Sequence, residues 1–566
     1  MPIQNDLGSA IIQEFEELFE RRAVWDDHYQ IVGDFVHGSK QEFTELNTPG
    51  ERLNEERHTS IAVFASRSLA SALIGMLWPN GAQSMKLVPS RNITDNRENK
   101  EYFERVTEIM VQAMNDPLAG LTVALDEYML DQTAFGTSGI GVFKGRESDL
   151  HFEAWGTAQL FIDEGDEGRV EKEYRHFRWH LNRVAETYGL ENLSPRLQER
   201  FKSRKNTTEQ IQLIHAIKRR NNRDTLKRDA FNMPYMSVVV ERETKHVIRE
   251  SGFTENPVKV TRFRKLPYEV YGRSPGIDAL SDVLELDYLT ERFTVNVDKT
   301  GDPPLIVLDD GRFGGGIIDT SPAAINVMDV SGRVSNNIDP IKPLFTVGEL
   351  NTTLTRMEQL REAIGQHFFL DKLLDFNNET QMTASEALIR DRIRAAALGS
   401  IFNRQVAELF DPLISRSFNM LLLENKLGVT NNSPEQRLLA NSSDDVLIIP
   451  DEIARKMAQG QDVFEIKYFT PAARMLQLQR SEALNQLTLY VQTLQAADPQ
   501  AGDIFNNDEA IKIAAEVAGL SNILRSDEEV QGIRIQRAEQ QQAAQQAEQA
   551  KLESESARNL NQAGVL

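Results

Sequence analysis

Residues 274–304 read SPGIDALSDVLELDYLTERFTVNVDKTGDPP, and the two ends of this stretch decide the fold. Ser274 before Pro275 is a helix start: the serine oxygen caps free amides, and proline at the first helical position gives up a donor that would have no partner there. Ile277, Leu280, Leu284 and Tyr288 follow at helical spacing. Gly301-Asp302-Pro303-Pro304 stops the helix, since paired prolines neither donate nor tolerate a helical residue before them. The spacing predicts a rod of roughly 22 to 26 residues, about 33 to 39 Å at 1.5 Å per residue.

Beyond it, Pro304 to Ile341 carries Asp310-Gly311, Gly314-Gly315-Gly316 and Ser331-Gly332 between Leu305–Leu308, Ile317–Ile318 and Ile325–Val330. Tight turns between short β-branched runs predict a small β unit. It is acidic, with Asp302, Asp309, Asp310, Asp319, Asp329 and Asp339 against Arg312, Arg333 and Lys342. Leu350, Leu354, Met357, Leu360, Ile364 and Phe368 then predict a second rod, so two long helices bracket a knob. A polar loop, Asp371 to Gln381, leads to Thr383-Ala-Ser-Glu386, a capping box in which Thr383 and Glu386 satisfy each other's amides. The helix begun there is expected to reach Gly428, with a kink near Glu408 to Pro412 where proline removes a donor.

Upstream, Phe15, Leu18, Trp25, Tyr29, Val32 and Val36 predict an amphipathic helix from Ile11. Ile61, Phe64, Ser68, Leu69, Ala72, Leu73 and Met76 predict another, and core packing explains both stripes. Between about Leu121 and Ser274, Ile140–Phe143, Leu160–Ile162, Tyr174–Trp179 and Met236–Val240 read as strands, with helices expected at Ala113–Phe135 and Ala185–Phe201. The class is α+β, predominantly α. Downstream, Val446–Pro450 and Phe464–Phe469 read as strands and Pro471–Ala497 and Asp508–Ala518 as helices. From Arg534 the chain favours helix but has no apolar stripe, which predicts fraying or disorder unless neighbouring copies pack it.

The chain has 566 residues, enough for three to five compact units at roughly 150 each. Its 63 Lys and Arg against 85 Asp and Glu leave a net charge of −22, which argues against a whole-surface DNA binder and leaves contact at a local patch open. Without cysteine, disulfides, thiolate metal sites and cysteine nucleophiles are excluded, and a reducing compartment fits. Leu69–Trp78 is about half the length of a membrane span. Met1–Gly8 holds Asp6 and no basic region, so no secretory signal is expected and the product reads as soluble and made in a cytoplasm.

Enzyme signatures are incomplete. Gly136-Thr-Ser-Gly-Ile-Gly141 has phosphate-loop glycine spacing, but Val142-Phe143 stands where Lys and Ser or Thr belong, and a turn into a strand is the better reading. His176 and His180 lie on a predicted strand about 13 Å apart, with no acid to complete a metal site, and read as surface or interface histidines. Scattered carboxylates single out no catalytic pair, so neither catalysis nor a cofactor nor a metal is expected. Two basic clusters stand out instead. Lys218, Arg219, Arg220, Arg223, Lys227 and Arg228 form one, read as a solvated or inter-subunit ion-pair face. Arg390, Arg392 and Arg394 form the other, and Arg390 and Arg394 share a helical face.

Tyr271-Gly-Arg-Ser-Pro275, Asp302-Pro-Pro-Leu305, Met382-Thr-Ala-Ser-Glu386 with Arg390, Leu398-Gly399, and Asp411-Pro-Leu-Ile414 with Arg416 and Phe418 occur in one order. With Leu69–Leu77 and Phe135-Gly136-Thr137, this set resembles the head-to-tail connector, or portal, proteins of T7-like short-tailed bacteriophages, over about residues 20–425. The resemblance implies a portal fold assembling as a ring. Wing would be 1–274, first stem helix 275–302, clip 303–345, second stem helix 346–370, tunnel loop 371–382 and kinked wing helix 383–428. Crown would be 429–530, and 531–566 a Gln/Ala-rich barrel helix or a disordered tail.

It also implies a homododecamer at one capsid vertex, through which a terminase large subunit packages double-stranded DNA and from which DNA is later ejected. Major capsid and scaffolding proteins, a tail adaptor or tubular protein and internal core proteins would be partners, in the virion, with no membrane. Channel candidates are Arg390, Arg394, Asn377, Asn378 and Lys372, and clip candidates are Asp309, Asp310, Arg312, Asp329 and Arg333. Lys218, Arg219, Arg220 and Arg223 are interface candidates. The alternatives are a non-portal adaptor or scaffolding component and, behind it, a nucleic-acid enzyme.

Overall fold

The computed structural model describes residues 2–39, 42–45, 50, 57–79, 84–94, 96–203, 209–227, 229–309, 318–329, 341–344, 351–373, 396–430, 447–497, 505–518, 525 and 527–562. The chain divides into one unit of Met1–Met85, Val106–Ile448 and Thr470–Ala472, and another of Lys86–Arg105, Ile449–Phe469 and Ala473–Leu566. The fold is mixed α and β and mostly helical.

In chain order the first half holds α1 (Pro2–Val32), α2 (Ile61–Leu77), β1 (Met85–Pro89), α3 (Arg97–Met114), α4 (Leu121–Ala134), β2 (Thr137–Lys144) and β3 (Leu150–Trp155). Then come β4 (Leu160–Glu164), β5 (Val170–His180), α5 (Leu181–Tyr188), α6 (Pro195–Lys202), β6 (Gln210–Arg219), β7 (Tyr235–Glu241), β8 (Val247–Phe253) and β9 (Val258–Arg262). β4 to β8 form one antiparallel sheet in sequence order. Side chains alternate across it, as the two-residue strand period demands. Ile214, Ala216, Met236, Val238 and Val240 are buried with Ile11, Ile12, Phe15 and Leu18 of α1. Leu213, Val239 and Ile248 are buried with Leu181 and Val184 of α5 and Leu197 of α6. A second sheet, β3-β2-β9, lies against α4, which also packs on α2.

Several expectations shift. The helix predicted over 113–135 is two, α3 and α4, because Pro117 and Gly120, at φ +76°, break it. That predicted over 185–201 is α5 and α6, broken at Gly189, φ +85°. On α2 the buried face is Ala62, Val63, Ala65, Ser66, Leu69, Ala70, Leu73 and Leu77, so Phe64, counted in the stripe, is exposed.

From Ser274 the expected rod, knob and rod appear. α7 (Pro275–Asp278) precedes α8 (Leu280–Gly301), β10 (Leu305–Asp309), β11 (Ile325–Asp329) and β12 (Ile341–Pro343). α9 (Asn351–His367) and the turn α10 (Leu370–Leu373) follow. β10 is central, with β11 parallel and β12 antiparallel to it. Ile318 is not in a strand, and the third strand comes instead from Ile341, which the sequence pattern had not marked. Helix resumes over 396–405 and meets Pro412 through a π turn, Val406–Phe410. A widened turn leaves the i−4 carbonyl room for the ring. The helix Asp411–Leu423 ends before Gly428, with Asn425 left-handed.

In the other unit, β1 pairs with the strand Phe464–Tyr468. Glu452, on the helix Asp451–Ala458, accepts from the Thr94 amide (3.0 Å) and from Asn99 Nδ2 (3.2 Å). The helices Pro471–Ala497 and Asn507–Ala518 lie where expected. In the Gln/Ala-rich tail, expected as a barrel helix or disordered, Asp527–Gln562 is one helix of 36 residues. Its Ala, Gln, Glu and Arg content, over a length well past the nucleation threshold, accounts for that.

Candidate functional site

The rod–knob–rod is anchored at its base. Ser274 Oγ accepts from the Ile277 amide (3.0 Å) and donates to the Ala134 carbonyl (2.6 Å), capping α7 and tying it to the end of α4. α8 and α9 pack side by side. Leu280, Val283 and Leu286 of α8 and Met357, Leu360 and Ile364 of α9 are buried. Buried Asp287 accepts from the amides of His58 (2.7 Å) and Thr59 (2.9 Å), at the entry to α2, whose own Ser60 makes no side-chain cap. Arg356 donates twice to Glu285, at 2.8 Å each, and that hydrogen bond holds the Glu285 carboxyl below its ordinary range.

The far half of the pair differs. Past Asp287 no residue of α8 is buried, nor is any residue of α9 before Met357. Tyr288 is 55 % and Val297 44 % exposed. On the knob's outer strands Ile325 and Ile341 are more than half exposed. Its register sets Asp309 opposite Asp329, bringing two of the clip candidates together at the same end of parallel strands.

The motifs that carried the resemblance interlock. Gly136 has φ +85°, and a Cβ there would sit 2.7 Å from the Arg273 carbonyl carbon. A Cβ on Gly272 would in turn collide with the Gly136 carbonyl oxygen. Two backbones can meet this closely only through glycine. The Gly272 amide donates to Thr137 Oγ1 (2.7 Å), and Tyr271 Oη accepts from the Ile162 amide (3.3 Å). Arg416 Nε donates to the Val142 carbonyl (2.9 Å), pinning the helix Asp411–Leu423 to β2, and burial pulls its guanidinium pKa down. Beside it, burial raises the Glu173 carboxyl to about 8 and lowers Lys259 to about 8. The glycine loop that mimics phosphate-loop spacing is therefore a turn into β2.

Of the basic cluster, Lys218 pairs with Glu14 (2.7 Å), Arg219 with Glu171 (3.5 Å), Arg220 with Glu250 (2.9 Å) and Lys227 with Asp224 (3.7 Å), all within the chain. Arg223 is exposed on the β6–β7 loop. Lys372 lies on α10 rather than in a loop, its ammonium 5.5 Å from the Phe369 ring centroid. Asn377, Asn378, Arg390, Arg394, Asp310, Arg312 and Arg333 lie outside the described residues. His176 is partly buried rather than exposed: it packs against Phe15, and burial first, then Arg242, lowers its pKa to about 4. His180 is exposed.

Sequence reasoning missed Asp287 and Arg22. Arg22 donates to Asp26 (2.7 Å) and to the carbonyls of Thr157 (2.9 Å) and Leu160 (2.7 Å). Its distant partners left no local signal. Among the described residues, no helix is long and apolar enough to cross a membrane, and no group of three His, Cys, Asp or Glu is placed to hold a metal.

The portal protein of Salmonella phage epsilon15 is 25% identical to this chain over 567 residues, covering 98% of this chain and 95% of that protein. A probable portal protein of Bordetella phage BPP-1 is 25% identical over 548 residues, covering 95% and 92%. A solved structure described as the virion of a native gene transfer agent particle aligns over 86% of this chain and 93% of its own, at 10% identity and a TM-score of 0.34. Residues 9–524 match the family described as bacteriophage head to tail connecting protein, so the chain, with its interlocked glycine motifs and its rod–knob–rod, belongs to that family of phage structural components.

Proposed function

We propose that this chain is a portal subunit of the short-tailed, T7-like kind. Twelve copies would close into a ring at one capsid vertex, the passage for packaging of double-stranded DNA by a terminase large subunit and for later ejection. The ring would also attach head to tail, meeting capsid, scaffolding, tail adaptor and internal core proteins, and it would act by geometry rather than catalysis, without cofactor or membrane. In this reading α7 with α8, and α9, are the stem, β10–β12 the clip, the sheets and α1–α6 with the helix Asp411–Leu423 the wing, 429–530 the crown and the last helix a barrel helix.

The observation that carries the reading is the unburied far half of the α8–α9 pair. A helix pair with Tyr288 and Val297 exposed, capped by a knob showing Ile325 and Ile341, leaves apolar surface that the described residues do not cover, and copies side by side would cover it. Net charge supports the same view: at −22 per copy, a ring repels phosphate overall and lets duplex slide. Class averages of the purified protein in negative stain test this. Rotational symmetry with a bore wide enough for duplex is expected; a lone globule or a closed disc refutes it.

A further inference from the structure

The loop between β9 and α7 holds an aromatic side chain out in solvent. Tyr268 is fully exposed, at 105 %, and has φ +67°, a backbone state that costs a bulky residue about 1 kcal/mol or more. Leu266 beside it is 39 % exposed. The loop is braced rather than loose. Arg264 and Arg273 exchange backbone hydrogen bonds (2.8 and 3.2 Å), Lys265 pairs with Glu164 (2.6 Å), Arg264 with Asp278 (3.0 Å) and Arg273 with Glu269 (2.7 Å). A rigid, strained, solvent-facing aromatic is the form of an interface anchor.

A receptacle lies elsewhere on the same unit. Ser71, Ile74, Gly75, Trp78, Val123 and Asp126 line a hollow of about 450 Å³ between α2 and α4. Val123 is 64 % exposed. Gly75 sits within α2, where glycine costs about 1 kcal/mol relative to alanine, and a Cβ there would meet nothing within 4 Å. Among the described residues nothing crowds this position, so the glycine leaves the floor of the hollow open. Asp126 and Glu127 have no cationic partner among the described residues, while the anchor's loop carries Arg264, Lys265 and Arg273, each paired with one carboxylate of its own chain.

Anchor and hollow lie toward opposite ends of α4. The loop's base packs on Gly136, just past the helix, and the hollow is at Thr122–Asp126, about 20 Å back along the axis. A patch and its complement at separate places on one chain join head to tail, and such contacts form a ring where the rotation between copies closes and an open filament where it does not. We infer that Leu266 and Tyr268 of one copy insert into the Gly75–Val123 hollow of the next, with the Tyr268 hydroxyl donating to Asp126. This rests on the ring reading above and specifies its lateral contact.

The absence of native cysteine makes the test clean. A chain carrying both Pro267→Cys beside the anchor and Thr122→Cys at the hollow, which keeps Tyr268 and Val123, is expected to yield with a short bismaleimide a ladder of covalent oligomers up to the full ring. An equimolar mixture of the two single variants should stop mostly at dimers. Tyr268→Gly relieves the backbone, so its monomer should melt no lower than wild type, while the concentration needed for assembly rises roughly tenfold to thirtyfold. Gly75→Leu fills the hollow and should impair assembly likewise with the monomer intact. Wild-type rings without a ladder, or rings of Tyr268→Gly and Gly75→Leu at wild-type concentrations, overturn this contact and leave the ring standing. A wild-type chain that forms no ring overturns both.

Discussion

The sheet core around α1 and α4, the wing of the proposed reading, and the α8–α9 arm with its β10–β12 knob use opposite means of holding shape. In the wing, α1, two sheets and α4 bury Phe15, Phe135, Trp155 and Tyr174 almost completely, and the glycines at 136 and 272 let backbones touch. In the arm, α8 has no buried residue past Asp287 and α9 none before Met357, and the ion pair between the two helices, Arg356 with Glu285, is exposed. Exposed pairs contribute little, about 0–1 kcal/mol. One region is therefore well buried within a single chain, and the other, in the proposed reading, would be completed by neighbouring copies. Disturbing the wing should unfold the monomer, and disturbing the arm should change assembly.

The strongest way to break this contrast is Gly272→Ala. The new methyl group meets the Gly136 carbonyl with backbone on both sides, so a loss of about 4 kcal/mol or more is expected in denaturant unfolding of the monomer. Next, Arg22→Ala strands buried Asp26 and the carbonyls of Thr157 and Leu160, and the same measurement should show a loss of about 3 kcal/mol.

A third prediction uses pH. Glu173 has its folded pKa raised from 4.5 to about 8 by burial, so between these values the folded chain holds a proton that the unfolded chain has released. Stability from this group is full below pH 4.5 and is lost as pH rises toward 8. Lys259, lowered from 10.5 to about 8, works the other way above that point, its contribution falling away as pH drops through 8. Glu173→Gln should stabilise the monomer by roughly 1–3 kcal/mol near pH 7.5 and by almost nothing at pH 4, read from melts across the range. A uniform gain at both values would remove the titration as cause. The smallest effect is expected in the arm: Arg356→Ala should change monomer stability by about 0.5 kcal/mol or less, and a larger loss would show the arm to be self-sufficient.

Much of this plan could be read from residue order. Ser274-Pro275 and Gly301-Asp302-Pro303-Pro304 marked the rod because capping and proline chemistry act within a few residues. The turn at Gly136 was legible for the same reason. Phe64 and His176 misled, one exposed and the other inward, because an apolar or aromatic residue near the edge of a stripe faces whichever way the neighbouring element permits. For the tail, expected as a barrel helix or disordered, the structure has the helix, with propensity over 36 residues outweighing the missing stripe.

Local chemistry, the caps, breakers and periodicities, thus set the element order, the rod–knob–rod and the family motifs. Which partners those elements meet was decided in three dimensions: Asp287 reaching the amides before α2, Arg416 reaching Val142, and Gly136 against Gly272. Each joins residues more than a hundred positions apart. Backbone hydrogen bonding is local and writes itself into nearby residues, whereas burial and close packing depend on what the whole fold brings alongside.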